Sequence, residues 1–148
     1  MSVSLLGRCD SENLPSMLAC EVPLFLSRVP AGFPSPAQDY VEQTLDLNEL
    51  CIARPAATFF VRVEGESMID TGIYPDDILV VDRSIQAKHG DIIIASLHGE
   101  MTVKTLELRP VVRLVPANKY FQPVVITEEM EFDVFGVVTN VVRTVRRG

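Results

Sequence analysis

The chain has 148 residues and is 47% hydrophobic, which is enough for one hydrophobic core and one folded domain. Its formal net charge of −7 argues against direct tight binding to nucleic acid, because such binding depends on Lys and Arg neutralising phosphates. The apolar run at residues 22–26 is too short to cross a membrane, and the polar stretch ahead of it is unlike a secretory signal. We therefore expect a cytoplasmic protein without membrane contact.

Prolines are frequent in the first 38 residues, at positions 15, 23, 30, 34 and 36. Proline fixes φ and lacks an amide donor, so it disfavours helices and central strands. We predict a flexible amino-terminal arm at residues 1–38 and a folded domain at residues 39–148. The flanking prolines should keep the small residues Ala31 and Gly32 extended.

Two short helices are predicted at the start of the domain. Asp39 with Glu42, and Asp46 with Glu49, have the spacing of a capping box. Pro55 should stop the second helix.

The rest of the chain alternates short apolar runs with turn residues, which predicts strands. The runs lie at residues 59–63, 78–81, 91–97, 101–106, 111–115, 124–126 and 134–142. Because no long helix separates them, we expect a mainly β domain with a compact, strongly curved sheet.

Cysteines and histidines do not form a metal or disulfide pattern. Cys9, Cys20 and Cys51 are odd in number and lack CxxC spacing, so they are expected to be reduced thiols. His89 and His98 lack metalloprotease spacing and are expected to lie in loops. We expect no cofactor and no metal.

Ser67 and Lys104 are candidates for a nucleophile and its base. Ser67 follows Gly65 at the end of a predicted strand, where free backbone amides could hold an oxyanion. In a strand, Lys104 would share one sheet face with Thr102 and Leu106, where burial would lower the pKa of its amine. A neutral lysine can replace histidine as the base that activates serine. An isolated pair of this kind is more often a loop serine and a solvated charge.

The segments around Ser67 and Lys104 favour the catalytic interpretation over the ordinary one. Residues 60–70, 76–82, 90–95 and 102–104, in this order, closely resemble the self-cleaving serine-lysine peptidases of the LexA/UmuD family. Residues 31–43 are similar to the cleavage region of UmuD-like members, and residues 133–138 to their final strand. The resemblance covers most of the chain and implies a fold like the carboxy-terminal domain of LexA and UmuD.

The resemblance assigns roles to residues. It implies that Ser67 attacks the carbonyl of Ala31 in the Ala31–Gly32 bond, that Lys104 is the base, and that the backbone amides of Glu66 and Ser67 hold the oxyanion. UmuD-like members usually have Cys-Gly at the bond and LexA-like members Ala-Gly. The residue at the bond stays small, so the difference from UmuD-like members should not prevent the chemistry, but it puts the rate of cleavage in doubt.

The resemblance also implies partners. Family members form homodimers, and a RecA filament on single-stranded DNA stimulates their cleavage in the SOS response to DNA damage. The shortened form of UmuD-like members then joins a UmuC-type translesion polymerase. The helix-turn-helix domain of LexA does not fit into the 31 residues that precede Gly32.

Two other functions remain open. The chain could be a noncatalytic dimeric module that regulates a polymerase, with an arm that is never cut. It could also be a peptidase acting on other proteins, although the expected lack of a membrane anchor separates it from the signal peptidases that use the same dyad.

Overall fold

A computed structural model describes residues 3–9, 21–25 and 41–146. These residues form ten strands and one α-helix: β1 (Val3–Cys9), β2 (Glu21–Phe25), β3 (Val41–Asp46), α1 (Leu47–Cys51), β4 (Thr58–Val63), β5 (Ile78–Asp82), β6 (Ile92–Leu97), β7 (Glu100–Glu107), β8 (Arg113–Val115), β9 (Val124–Val125) and β10 (Phe132–Val142). Single 3₁₀ turns occur at Pro55–Ala57 and Ile69–Thr71. The mainly β class is confirmed, and so are all seven predicted strand positions, with ends that differ by a few residues.

Eight strands form one antiparallel sheet in the order β1-β4-β5-β10-β6-β7-β8-β9, and β2 pairs with β3 in a separate hairpin. The long strand β10 lies between β5 and β6 and has a register shift against each of them. Irregularities of this kind bend and twist a strand. The sheet is therefore strongly curved, as predicted.

Two groups of buried side chains fill the interior. The larger one includes Val61, Met68, Leu79 and Val103, and the smaller one includes Ile93 and Leu114. Successive residues of β6 belong to different groups, Ile94 to the larger and Ile93 to the smaller, because side chains along a strand point to opposite faces of the sheet. β4 and β7 both contribute side chains to the larger group.

Gly136 on β10 lies where a side chain has no room. A Cβ atom there would come within 2.7 Å of Val81 Cγ1 and 3.1 Å of the Asp82 carbonyl oxygen. Gly136→Ala should therefore force β10 away from β5 and lower the free energy of unfolding by about 1–3 kcal/mol. Urea denaturation would measure this loss. Equal stability of Gly136→Ala and wild type would contradict the prediction.

One predicted helix is confirmed and the other is wrong. Asp46 caps α1 by accepting a hydrogen bond from the Asn48 amide at 2.8 Å, and α1 ends before Pro55. The helix predicted from Asp39 and Glu42 is replaced by β3, which pairs with β2. The capping-box spacing is a local pattern and carries no information about a strand that pairs from about twenty residues away.

Part of the predicted arm takes up regular structure. β1 pairs with β4 at the edge of the main sheet, and β2 supplies half of the hairpin with β3. The predicted boundary between residues 38 and 39 lies outside the described residues, as does the Ala31–Gly32 bond, and both stay predictions. No helix in the described residues is long and apolar enough to span a membrane.

The thiol and imidazole groups have ordinary surroundings. Cys51 is a half-buried free thiol, while Cys20 and the side chain of Cys9 lie outside the described part. His89 is exposed and its Nδ1 accepts a hydrogen bond from the Leu108 amide at 2.9 Å. His98 lies in the turn between β6 and β7. Both histidines are thus loop residues, as expected.

Candidate active site

Ser67 lies in a tight loop that follows β4. Gly65 adopts a φ of 88°, a left-handed conformation that favours glycine, and turns the chain directly after the strand. The 3₁₀ turn Ile69–Thr71 follows, and Gly72 ends it with a φ of 86°. The buried side chain of Met68 anchors the loop in the core. Ser67 is held rigidly as a result, with 0% of its surface exposed.

A second loop, after β8, fastens the serine loop from the side. The Ala117 amide donates to the Ser67 carbonyl oxygen at 2.7 Å, and the Asp70 amide donates to the Ala117 carbonyl oxygen at 2.8 Å. The Asn118 side-chain amide donates to the Glu66 carbonyl oxygen at 2.8 Å. These three bonds fix the backbone on both sides of Ser67.

Lys104 reaches Ser67 from β7. Its Nζ lies 3.1 Å from Ser67 Oγ, 2.8 Å from Thr102 Oγ1 and 3.2 Å from the Val103 carbonyl oxygen. The residue is 8% exposed. β7 therefore aims the amine at the serine and surrounds it with neutral oxygen atoms.

Burial lowers the pKa of the Lys104 amine, because an ammonium loses hydration inside the protein. None of the salt bridges among the described residues joins a carboxylate to Lys104. Nζ donates hydrogen bonds to Ser67 Oγ, Thr102 Oγ1 and the Val103 carbonyl oxygen. Once the amine is neutral, its lone pair at this distance can accept the proton of Ser67 Oγ.

Backbone amides close to Ser67 are available to a ligand. Within the described residues, the amides of Glu66 and Ser67 donate to no acceptor, whereas neighbouring amides in the 3₁₀ turn donate to Glu66 and Met68. Two unoccupied donors beside a buried hydroxyl can stabilise a negative oxygen formed at that point. The role of these two amides as an oxyanion site stays a prediction.

A groove of about 440 Å³ leads to the amine. Leu97, Glu100, Met101, Thr102, Lys104, Leu114 and Val124 line it. Polar and apolar side chains both line this groove, and β7 supplies four of its seven lining residues.

A second pocket, of about 790 Å³, lies elsewhere, around Arg143. Arg143 donates to both carboxylate oxygens of Asp77 at 2.6 Å and to the Gly72 carbonyl oxygen at 2.6 Å. Burial by itself would raise the pKa of Asp77, but the hydrogen bonds from Arg143 and from the Tyr74 amide outweigh it and lower the pKa. Asp77 is 1% exposed, so this ion pair ties the end of β10 to the loop that follows Ser67.

The structure brings Ser67 and Lys104 together, as the sequence indicated, and leaves Ala31 and Gly32 undescribed. Sequence reasoning placed Thr102 on the face of Lys104 but did not recognise it as a hydrogen-bond partner. It treated Asn118 only as a turn residue. The i, i+2 spacing of Thr102 and Lys104 on a predicted strand could have suggested the first contact, whereas no local signal points to the second.

Comparison with known proteins agrees with this geometry. A family profile described as Peptidase S24-like matches residues 23–139. Protein SamA of Salmonella typhimurium is 51% identical over 124 residues, which are 84% of this chain and 86% of SamA. Protein MucA of Escherichia coli is 50% identical over 120 residues, 80% of this chain and 82% of MucA. LexA repressor 2 of Pseudomonas syringae pv. tomato is 37% identical over 135 residues, 90% of this chain and 65% of the repressor.

Proposed function

Because this chain belongs to the Peptidase S24-like family, which confirms the resemblance to LexA/UmuD proteins, we propose that it is a serine peptidase that cleaves its own Ala31–Gly32 bond. Ser67 is the nucleophile and Lys104 the base. The observation that carries the proposal is the 3.1 Å contact between Lys104 Nζ and Ser67 Oγ inside a buried site without an opposing carboxylate in the described residues.

The chemistry follows in two steps. Neutral Lys104 takes the proton of Ser67 Oγ as the oxygen attacks the Ala31 carbonyl, and the amides of Glu66 and Ser67 bind the resulting oxyanion. Collapse breaks the C–N bond, and the lysine ammonium gives its proton to the leaving Gly32 amine. Lys104 then deprotonates a water molecule, which hydrolyses the ester between Ser67 and Ala31.

The β2–β3 hairpin supports presentation of the bond. Phe25 at the end of β2 pairs with Val41 at the start of β3. The segment that carries Ala31 and Gly32 thus begins and ends at neighbouring points of one hairpin.

The biological setting is proposed from the family resemblance and from relatives that are about 50% identical. The protein acts in the cytoplasm as a homodimer in SOS mutagenesis. A RecA filament on single-stranded DNA stimulates the cut, and the shortened chain serves as accessory subunit of a UmuC-type translesion polymerase.

Incubation of the purified chain with and without activated RecA filaments tests the proposal. Mass spectrometry should find a fragment that begins at Gly32 and ends at Gly148, and more of it with filaments. Ser67→Ala provides the blank for contaminating proteases. A chain that stays intact after prolonged incubation with active filaments would refute self-cleavage.

The rate of cleavage without RecA should rise with pH. Only the neutral form of Lys104 accepts the serine proton, so each pH unit below its pKa costs about tenfold in active fraction. The lowered pKa places the plateau below about 10.5, the ordinary value for lysine. Rates measured from pH 6 to 10 would show this. A rate that falls with pH in a chain that stays folded would exclude lysine as the limiting base.

One observation favours the noncatalytic module as second candidate, namely the 0% exposure of Ser67. A fully buried hydroxyl reacts only if the substrate segment displaces what covers it. The incubation with RecA separates the two functions, because a module without activity yields no fragment under any condition. The same burial argues against a peptidase that acts on other proteins, whose serine must be open to foreign chains.

A further inference from the structure

Two pairs of strands join segments that lie on opposite sides, in the sequence, of the bond that we propose is cut. β1 and β2 precede Ala31–Gly32 in the chain, while their partners β4 and β3 follow it. β1 pairs with β4 from Val3↔Val63 to Cys9↔Thr58, and β2 pairs with β3 from Glu21↔Asp46 to Phe25↔Val41. Hydrolysis of the bond removes the covalent link and leaves all of these backbone pairings in place.

β1 also reaches the core beside the active site. Its first described residue, Val3, is half-buried and packs against the group that includes Val63, Met68 and Val103. Val63 is the last residue of β4, shortly before Ser67, and Val103 adjoins Lys104 on β7. The amino-terminal strand therefore covers the edge of the strand that carries the serine loop.

We propose that the outer edge of β4 is a binding site for an extended peptide, and that the segment 1–31 stays bound there as a noncovalent ligand after the Ala31–Gly32 bond is cut. The binding mode is strand addition, in which main-chain hydrogen bonds supply affinity. The inference rests on the proposed self-cleavage and extends it. Cutting and release are then two separate steps.

Release has a structural consequence of its own. When β1 leaves, Thr58–Val63 becomes the edge of the sheet, with backbone donors and acceptors open to another extended segment. While β1 remains, this edge is closed even in a chain that has been cut. The free edge of β4, which distinguishes the shortened protein from the full chain, is thus exposed only when β1 dissociates.

The test uses a cut that does not depend on the dyad. The recognition site of a foreign site-specific protease is inserted between Ala31 and Gly32 of the full chain carrying Ser67→Ala. After digestion, size-exclusion chromatography and mass spectrometry should find the amino-terminal fragment in the same peak as the rest of the chain, in equal amounts. In denaturant the two should separate. A fragment that elutes alone in native buffer would overturn the inference.

A double proline substitution in β1 tests whether pairing with β4 is what retains the amino-terminal fragment. In an antiparallel strand successive amides point to opposite edges, so Ser4→Pro with Leu5→Pro removes one amide that faces β4. We expect co-elution to fall at least fivefold. Glu12→Pro with Asn13→Pro, outside the described strands, is the matched control and should retain the fragment. Unchanged retention in the Ser4 and Leu5 variant would overturn the assignment to the β4 edge.

Hydrogen exchange tests whether β1 stays paired with β4 after the cut without any substitution in β1. Amide protection of residues 58–63 should be the same before and after digestion, and a tenfold faster exchange after digestion would overturn the inference. Because the foreign protease makes the cut, this result does not depend on self-cleavage. Absence of a fragment with RecA would refute the proposed function and leave the peptide-binding edge to be judged by these experiments.

Discussion

Ser67→Ala should abolish cleavage of the Ala31–Gly32 bond, with a rate reduced on the order of 10³-fold or more, because the nucleophilic oxygen is removed. The fold should survive. Ser67 is buried, but alanine fits the same space, and the loop is held by backbone bonds from Asp70 and Ala117 that do not involve the hydroxyl. The lost contact to Lys104 should change the free energy of unfolding by about 1 kcal/mol.

Two measurements check this result. Fragment formation at pH 9 gives the rate, and urea denaturation gives the stability. Ser96→Ala on β6 is the matched control, and it should cut at the wild-type rate. If Ser67→Ala still produced the fragment beginning at Gly32, another nucleophile would have to be responsible, and the site described above would be wrong.

Lys104→Met and Lys104→Arg should be as inactive as Ser67→Ala. Methionine removes the base and keeps a linear side chain of similar length. Arginine keeps the charge, but a guanidinium stays protonated at any pH that the protein survives and does not accept a proton from serine. A cleavage rate of Lys104→Arg close to wild type would exclude Lys104 as the base.

Lys104→Met should also change how stability depends on pH. The pKa of Lys104 is lower in the folded chain than in the unfolded chain, so between the two values the unfolded state binds more protons. Wild-type stability therefore rises with pH through this window, up to about 10.5. The methionine variant has no amine to protonate, so its stability lacks this dependence on pH. The amount by which its free energy of unfolding exceeds that of wild type should be largest at low pH and shrink as pH rises.

Urea denaturation at pH 6 and pH 10 would measure this difference. Lys88→Met is the control, because Lys88 is exposed. An advantage of Lys104→Met that grew with pH would mean that the amine is better stabilised as an ammonium in the folded chain. That outcome would contradict the proposed protonation state.

The sequence by itself determined most of the sheet and singled out Ser67 and Lys104, whose side chains lie in contact in the structure. Short apolar runs mark β4 through β10, and central strands such as β5 and β6 bury consecutive residues on both faces. The Asp46 cap was readable because its acceptor and donor lie two residues apart. Ser67 and Lys104 stood out through the segments around them.

Tertiary structure alone decided which distant segments pair. β3 is a strand although Asp39 and Glu42 suggested a helix, because β2 supplies its hydrogen-bond partners from before the proposed cleavage site. β1 belongs to the main sheet although its sequence lies in a proline-rich region. Asn118 holds the Glu66 carbonyl oxygen across 52 residues of chain. Strand partners and side-chain bonds of this kind depend on backbone groups that every residue carries, so the identities of nearby residues do not reveal them.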